Sequence, residues 1–440
     1  MKFLDKFSEF SGTISAKLEQ NKYLAAIKES FTIYLPFVII GSFSLLFKLI
    51  LTSTTTGLAQ FETFKWLTIL EPAFNFINFA TMDIMALLIS GILAYNLARA
   101  NEISVISAII VAIGGYVITV PQFVEAFTEK GEVSILKALP VSSTNAQGLF
   151  TGMIITILVI ELYTKLLKIE KLKIKMPDSV PTGISASFNN LIPIFITFII
   201  VAIASVLFVN FTGQYINQII YTLIQEPLQA VVQTPAGIII LVLVNQIFWL
   251  IGIHGGLVIS PIRNPLLIAA LAANIDQMNA GLVPTNPVTM GFWMVFIVPG
   301  GAGYTLSLII ALLLASKKEA EKSIAKVSFL PGLFGISEPI VFGLPLIYNP
   351  VFAIPFVLAS PILTGVAMFF NSIGFITPNV IDVPFGVPIL GSAFLGYGWK
   401  GVVVQILLLG LGVLIYLPFV LASNRVKDVT LSDEEELEVL

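Results

Sequence analysis

The sequence predicts an all-α polytopic membrane protein, with about ten transmembrane helices and two re-entrant hairpins in its C-terminal half. The 440 residues are 57% hydrophobic and only 11% charged, whereas ordinary soluble domains carry roughly 25% charged residues. Several apolar runs reach the roughly 20 residues that a helix needs to cross a bilayer. In the second half, proline and glycine interrupt these runs, and broken backbone at membrane depth is tolerated only inside protein or along a cavity.

The first half of the chain contains four regular apolar segments of nearly transmembrane length. They lie at residues 31–51, 72–98, 103–120 and 148–167. The preceding residues 1–30 are amphipathic and contain several lysines, which is typical of a segment at the cytoplasmic membrane surface. Because the four spans carry little polar content, we expect residues 31–180 to form an N-terminal scaffold and dimerisation domain.

The second half, residues 181–423, is expected to form the substrate-binding and transport domain. More regular spans are predicted at residues 185–209, 237–253, 290–315, 350–370 and 401–421. The broken stretches 254–289 and 329–349 are the two expected re-entrant hairpins, and discontinuous elements of this kind form transporter sites. Whether the chain crosses the membrane an odd or an even number of times around residues 254–289 stays open. Residues 424–440 are acidic and are expected to form a cytoplasmic tail.

Lysine and arginine collect in a few short regions of the chain. These are the N-terminal segment, Arg99, residues 165–175, residues 317–326, and the pair Arg425 and Lys427. Short positive loops stay on the cytoplasmic side of a membrane. The sequence therefore predicts a multi-pass membrane protein with both termini in the cytoplasm.

Glu338 is the first candidate for a functional residue. It is the only formally charged residue in the apolar stretch 329–349, and a carboxylate in such a run must be neutralised, paired or placed beside a water-filled cavity. A carboxylate there can accept hydrogen bonds from a ligand's hydroxyl groups. The alternative is a structural carboxyl that bonds to neighbouring amides.

His254 is the second candidate, because it is the single histidine of the chain and follows an apolar run. Intramembrane ionisable residues are commonly functional, and the adjacent glycines Gly255 and Gly256 would let a ligand approach the backbone. A structural hydrogen-bonding role is the alternative. Trp249, five residues earlier, could stack on a sugar ring, although tryptophan also marks membrane interfaces.

Uncharged amides accompany these residues in the broken segments. Asn189 and Asn286 are the expected substrate-binding members of a set that also contains Asn190, Asn264, Asn349 and Asn379. Amides both donate and accept hydrogen bonds, which suits a neutral ligand rich in hydroxyl groups. Asp382 and Arg263 could form a structural ion pair instead.

Several classes of function are excluded by composition. The chain has no cysteine and one histidine, so thiolate and multi-histidine metal sites are ruled out. No carboxylate cluster has the spacing of a hard-metal site, and no basic groove suits nucleic acid. We expect neither a cofactor nor a metal.

The motifs resemble those of a known family. Residues 335–345 (GISEPIVFGLP), residues 252–255 (GIHG) and the segment 285–303 resemble the IIC component of the bacterial phosphoenolpyruvate-dependent sugar phosphotransferase system, in its lactose, cellobiose and diacetylchitobiose branch. Residues 180–193 are similar to it too. Two departures are Ser337, where asparagine is more usual, and residues 396–400 (GYGWK), where Gly-Asp-Trp-Arg is more familiar.

The resemblance implies a homodimer in the lipid bilayer of a bacterial cytoplasmic (inner) membrane. This dimer would bind a β-linked disaccharide, either cellobiose or N,N'-diacetylchitobiose, and move it across the membrane. The resemblance also implies that Glu338 and His254 surround the 6-hydroxyl of the sugar. A phosphocysteine on a separate cytoplasmic phospho-IIB protein would then phosphorylate that hydroxyl. This chain itself would be the substrate-binding membrane part of the complex.

Two other functions are compatible with the same residues. An ion-coupled secondary sugar transporter could use Glu338 and His254 as a proton relay. A scaffold or receptor without transport would need neither residue for uptake.

Overall fold

The computed structural model describes residues 21–55, 57–127, 133–174, 177, 180, 182–250, 254–344, 346 and 350–425, and these residues are mostly helical. Two expectations lie outside them. They are most of the predicted surface segment 1–30 and most of the predicted acidic tail 424–440. Of the surface segment, residues 22–30 are described and belong to helix α1 (Lys22–Phe47), which therefore begins well before the span predicted at residues 31–51.

The N-terminal half is a bundle of helices with one hairpin. Its helices are α1 (Lys22–Phe47), α2 (Glu71–Asn78), α3 (Met85–Ala100), α4 (Val105–Thr119), α5 (Val141–Thr144) and α6 (Leu149–Leu167). Short 3-10 or π segments are Lys48–Thr52, Leu58–Gln60, Glu62–Leu70, Phe79–Asp83, Ala146–Gly148 and Glu170–Leu172.

The strands β1 (Phe123–Phe127) and β2 (Val133–Lys137) pair antiparallel, with Phe123 opposite Lys137. Both strands are rich in aromatic and β-branched residues, with Phe123, Val124 and Phe127 in β1 and Val133 and Ile135 in β2, and such residues favour strands.

The C-terminal half has more and shorter elements. Its helices are α7 (Thr182–Thr212), α8 (Ile216–Ile220), α9 (Glu226–Val232), α10 (Pro235–Leu250), α11 (Gly255–Asn279), α12 (Met290–Phe292), α13 (Thr305–Ala315), α14 (Glu319–Leu333), α15 (Glu338–Gly343), α16 (Pro350–Ser372) and α17 (Gly391–Ser423). Short π or 3-10 segments are Tyr221–Gln225, Trp293–Ile297 and Ala302–Tyr304.

Within the described ranges, seven helices are long and apolar enough to cross a membrane, or up to nine if each of two bent pairs is one span. The bends are 47° before α3 and 84° before α10. Helix α4 is a shorter apolar helix. The sequence predicted about ten crossings.

The stretch 254–289, expected as a re-entrant hairpin, contains the continuous helix α11 instead. Pro261 and Pro265 lie inside this helix. Because Pro261 has no N–H, it leaves the carbonyl of Leu257 without its usual helical donor. The hydroxyl of Ser260 donates to that carbonyl at 2.8 Å. A neighbouring serine thus supplies the missing donor, which is one way in which membrane helices tolerate proline.

The stretch 290–315, expected as a regular span, is interrupted. Gly300, Gly301 and Gly303 have φ values of 73°, 101° and 69°, and Tyr304 has a φ of 57°. The Thr305 hydroxyl donates to the Gly300 carbonyl at 2.7 Å and closes the turn. Glycine is the residue that adopts such angles without steric cost, so this glycine-rich run makes a break in the helix.

The stretch 329–349, the second expected hairpin, is broken as its prolines and glycines predict. Helix α14 ends at Leu333, and the short α15 begins at Glu338 after four connecting residues. Position 345 and positions 347–349, including Asn349, lie outside the described residues. A return of this segment to the same membrane face therefore stays a prediction.

The two halves of the chain meet where α1, which also packs against α3, contacts α11, and where α7 contacts α4 and α6. Helix α3 also packs on α4 and α6, whereas α13 and α16 both pack on α17. The start of α11 and the helix breaks around it lie within the C-terminal group. This arrangement sets the position of the site described below.

A buried carboxylate ties α14 to the end of α17. Glu321 is 7% exposed and accepts hydrogen bonds from the Ser316 and Ser423 hydroxyls, each at 2.5 Å. We expect Glu321→Ala to lower the free energy of unfolding by roughly 1–3 kcal/mol, because two buried hydroxyls lose their acceptor. Thermal unfolding in detergent measures this loss. Glu319→Ala is the control, because the Glu319 side chain is 84% exposed, and an equal loss there would contradict the prediction.

Candidate functional site

Four interruptions of regular structure meet around one cavity of about 480 Å³, which we call the site cavity. They are the start of α11 at His254, the glycine-rich break after Trp293–Ile297, the link between α14 and α15, and the segment before α17. Helical backbone satisfies its own polar groups. The breaks in these helices therefore bring polar side chains and free backbone to one place.

His254 precedes the first residue of α11 and caps that helix. Its Nδ1 accepts a hydrogen bond from the backbone N–H of Leu257 at 3.2 Å. A ring nitrogen that accepts carries no proton, so the proton of the neutral imidazole is on Nε2. The cap thus identifies Nε2 as the donor atom of this histidine, and Nε2 points toward Glu338.

Glu338 begins α15 and faces His254 across the site cavity. The distance from His254 Nε2 to Glu338 Oε1 is 3.9 Å, and the two side chains are 43% and 46% exposed. This distance is too long for a direct hydrogen bond. An oxygen atom placed at roughly 2.8 Å from both can accept from Nε2–H and donate to the carboxylate. The pair can therefore hold one hydroxyl group and orient its proton toward Glu338.

Trp249 also borders the site cavity, but its ring packs on the imidazole. The Trp249 and His254 ring centroids are 4.3 Å apart, with 46° between the ring planes. Trp249 is only 4% exposed. Such contact holds the imidazole ring against α10. Phe385, which is 64% exposed and lines the same cavity, offers a more accessible aromatic face.

Close backbone contacts fix the segments that carry the two titratable residues. A Cβ added at Gly301 would lie 2.4 Å from Cβ of Ser337, the residue before Glu338. A Cβ added at Gly255 would lie 2.1 Å from the carbonyl oxygen of Asn245 in α10. Gly255 therefore serves helix packing, whereas Gly256 lines the site cavity.

The structure adds residues whose role the sequence did not indicate. Arg263 lines the site cavity, donates two hydrogen bonds to Asn264 at 2.8 and 3.0 Å, and lies 4.5 Å from the Trp293 ring centroid. Asp382 also lines the cavity, and neither of its buried oxygens has a side-chain partner among the described residues. Arg263 thus pairs with Asn264 and Trp293 rather than with Asp382.

Not all of the predicted amides reach the site cavity. Asn264 lines it, whereas Asn286 lines a different cavity. Asn189 is half-buried on α7, and its neighbour Asn190 bonds to Ser107 of α4 at 3.4 Å. Asn379 is bonded to Thr289 and to the carbonyl of Ile381. Amide composition indicated the chemistry but could not tell which residues share one cavity.

The site cavity combines two carboxylates, Glu338 and Asp382, with an imidazole donor, amides and two cations, Lys28 and Arg263. It has a size usual for ligand sites, roughly 300–1,000 Å³. Among the described residues, no group of three or more histidine, cysteine, aspartate or glutamate side chains could hold a metal ion. The arrangement suits a neutral polyhydroxy ligand that gains negative charge near the cations.

Comparison with known proteins gives matches over nearly the whole chain. Residues 28–360 match the family described as phosphotransferase system, EIIC. The oligo-beta-mannoside-specific EIIC component of Bacillus subtilis (strain 168) is 28% identical, over 98% of this chain and 96% of that protein. The cellobiose-specific EIIC component of Geobacillus stearothermophilus is 29% identical, over 92% of this chain and 91% of that protein.

A longer relative and a solved structure match as well. The lactose-specific EIICB component of Staphylococcus aureus (strain N315) is 29% identical, over 96% of this chain and 71% of that protein. The crystal structure of the transporter ChbC, the IIC component from the N,N'-diacetylchitobiose-specific phosphotransferase system, superposes with a TM-score of 0.87. It is 29% identical and covers 99% of both chains.

Proposed function

Because this chain belongs to the EIIC family of the phosphotransferase system, we propose that it binds a β-linked disaccharide, cellobiose or N,N'-diacetylchitobiose, in the site cavity. A phospho-IIB protein then phosphorylates the 6-hydroxyl of the bound sugar, and the sugar phosphate enters the cytoplasm. One observation carries this proposal. His254 Nε2 and Glu338 Oε1 are 3.9 Å apart, so one hydroxyl oxygen beside the line that joins them can lie about 2.8 Å from both.

In this mechanism the chain positions the sugar and accepts a proton. The Nε2–H of His254 donates to the 6-hydroxyl oxygen, and the hydroxyl proton moves to the Glu338 carboxylate as the oxygen attacks the phosphorus of the IIB phosphocysteine. The S–P bond breaks in the same transfer, and the cysteine leaves as a thiolate on IIB. Arg263 and Lys28 favour the charge that arrives with the phosphoryl group. Trp249 holds the imidazole, and Phe385 offers an apolar face to a sugar ring. The sequence contains no cysteine, so the phosphocysteine comes from IIB.

The proposed topology has ten crossings, with the two bent pairs and α4 each counted as one span. The continuous helix α11 supports an even number of crossings in this topology, because α7, the bent pair that ends in α10, α11 and the broken span 290–315 make four crossings between the basic loops at residues 165–175 and 317–326. These loops and both termini then lie in the cytoplasm. We further propose that residues 31–180 form the scaffold and homodimer interface, and that residues 181–423 bind and move the sugar.

A vesicle assay tests this function against ion-coupled transport. Vesicles that hold the chain and purified phosphotransferase partners receive labelled cellobiose or N,N'-diacetylchitobiose from outside. We expect internal sugar phosphate that depends on phospho-IIB and persists when the proton gradient is collapsed. Internal free sugar that vanishes with the gradient would support the secondary transporter instead. No uptake of either sugar would contradict the proposed substrate class.

Loss of the Trp249 ring should weaken sugar binding. We expect Trp249→Ala to raise the Kd for the disaccharide about tenfold, because the ring contact that orients His254 is worth roughly 0.5–1.5 kcal/mol. Trp249→Phe should lose less. Binding to the detergent-solubilised protein measures both values. Trp66→Ala is a matched control, since Trp66 is 63% exposed and far from the site in the chain, and an equal effect there would argue against the assigned contact.

A further inference from the structure

A second cavity, of about 420 Å³, lies at the opposite end of α11. We call it the amide cavity. Its lining includes Tyr221, Gln225, Glu226, Gln229, Asp276 and Asn286. Positions 254 and 276 are roughly 33 Å apart along a helix that rises 1.5 Å per residue, which is about the thickness of the hydrocarbon core. The amide cavity and the site cavity therefore lie toward opposite membrane faces.

Gln225 lines the amide cavity and has a side-chain oxygen without a hydrogen-bond partner among the described residues. This residue is 1% exposed, and its Nε2 donates to the carbonyl of Ala146 at 2.8 Å. The side-chain oxygen, Oε1, is buried. Buried acceptors are nearly always satisfied, because an unpaired one is costly. A donor group on a ligand in this cavity would supply the missing bond.

The other lining groups indicate the class of that ligand. Gln229 and Asn286 are half-buried amides, and amides pair with hydroxyl groups as both donors and acceptors. The ring of Tyr221 is also half-buried and offers an apolar face to a sugar ring. A volume of about 420 Å³ lies within the usual range of ligand cavities, roughly 300–1,000 Å³. These features suit a carbohydrate.

The two cavities differ in their charged groups. Glu226 and Asp276 line the amide cavity, and no lysine or arginine is among its described lining residues. Asp276 accepts a hydrogen bond from the Asn145 amide at 3.1 Å. The site cavity also has two carboxylates, Glu338 and Asp382, but there they are accompanied by two cations, Lys28 and Arg263. Carboxylates repel a phosphorylated sugar, whereas the cations attract it. The amide cavity is thus suited to the neutral sugar and not to its phosphate.

We propose that the amide cavity is an outer entry subsite, which binds the neutral disaccharide through Gln225 and Gln229 before the sugar reaches His254 and Glu338. This inference rests on the proposed function for the identity of the sugar and for the direction of transport. It adds a second binding site for unphosphorylated sugar to the chain.

A binding experiment isolates the second site. Labelled cellobiose is titrated onto detergent-solubilised His254→Ala/Glu338→Gln protein, in which the site cavity has lost the imidazole of His254 and the negative charge of Glu338. We expect weak saturable binding that Gln229→Leu reduces at least tenfold on this background. An excess of cellobiose 6-phosphate should not displace the label. Gln214→Leu is the matched control, because the exposed Gln214 lies outside the amide cavity, and it should leave this binding unchanged.

Transport gives a second measurement on otherwise unaltered protein. Gln225→Leu and Gln229→Leu should each raise the KM for external cellobiose at least fivefold in the vesicle assay, while Gln214→Leu should not. Gln229 is only half-buried, so its variant keeps the test decisive if Gln225→Leu fails to fold.

Three results would overturn the entry subsite. They are absence of saturable binding in the double variant, residual binding that Gln229→Leu leaves unchanged, and displacement of the label by the sugar phosphate. Failure of the proposed function has a different result, because wild-type protein would then produce no sugar phosphate in the vesicle assay.

Discussion

Glu338→Gln is expected to reduce phosphorylation of the bound disaccharide by 10²–10⁴-fold, the usual contribution of a positioned general base. Glutamine keeps the size and polarity of the side chain but cannot accept a proton from the sugar hydroxyl. The side-chain oxygen of the glutamine can keep the 3.9 Å separation that Glu338 has from His254 Nε2, so both side chains can still hydrogen-bond to the sugar hydroxyl. Binding should therefore weaken much less than turnover. Parallel measurements of the Kd and of the phosphorylation rate with purified phospho-IIB separate the two effects.

The Glu338→Gln result needs proof that the protein is intact. Membrane insertion and the size-exclusion profile in detergent should match those of the wild type. Glu62→Gln makes the same exchange at a side chain that is 86% exposed, and it should retain full activity. Turnover within threefold of the wild type in Glu338→Gln would refute the assigned role of this carboxylate.

Gly301→Ala is expected to lower phosphorylation at least tenfold, through the position of Glu338 rather than its chemistry. Gly301 has a φ of 101°, and an added Cβ would lie 2.4 Å from Cβ of Ser337. Because 2.4 Å is far below any normal carbon contact, either the break at Gly301 or the segment before Glu338 must move. Rotation of Glu338 away from His254 would remove the hydroxyl position between them. The vesicle assay and thermal unfolding in detergent measure the two consequences.

Two comparisons separate the steric clash from backbone strain. Gly213 also has a positive φ, of 71°, but a Cβ added there meets no atom within 4 Å. Gly213→Ala should therefore cost some stability and little activity. The double variant Gly301→Ala/Ser337→Gly removes the Ser337 side chain, with which the new methyl group would clash, and it should recover part of the activity. Equal losses in the two single variants, or no recovery in the double variant, would contradict this explanation.

His254 and Glu338 could be predicted as candidate residues from the sequence for a simple physical reason. An ionisable side chain within an apolar run is costly unless it faces a cavity or a partner, and His254 and Glu338 stand out on that ground. The structure places them 3.9 Å apart, at the ends of elements far apart in the chain. Sequence alone predicted the chemistry of each residue but could not determine this distance.

Other features depended on contacts across the fold. Arg263 lies over the Trp293 ring, and no local pattern signals a pair formed by two different elements. The prolines of α11 predicted a broken segment, but the Ser260 hydroxyl satisfies the carbonyl that Pro261 leaves without a donor. Asn286 has the amide chemistry expected of a sugar site, yet it lines the cavity at the other end of α11.

The cap on α11 limits what the imidazole can do during a transport cycle. Because Nδ1 of His254 accepts from the Leu257 N–H, a second proton on the ring would place two donors face to face. The Leu257 N–H also donates to the His254 carbonyl at 2.9 Å, so the first turn of the helix would keep its backbone bond while the imidazole lost its anchor. A ring that gains and loses this proton would have to turn away from the helix start and return in every cycle, whereas a donor that stays neutral can keep one orientation while it holds a hydroxyl.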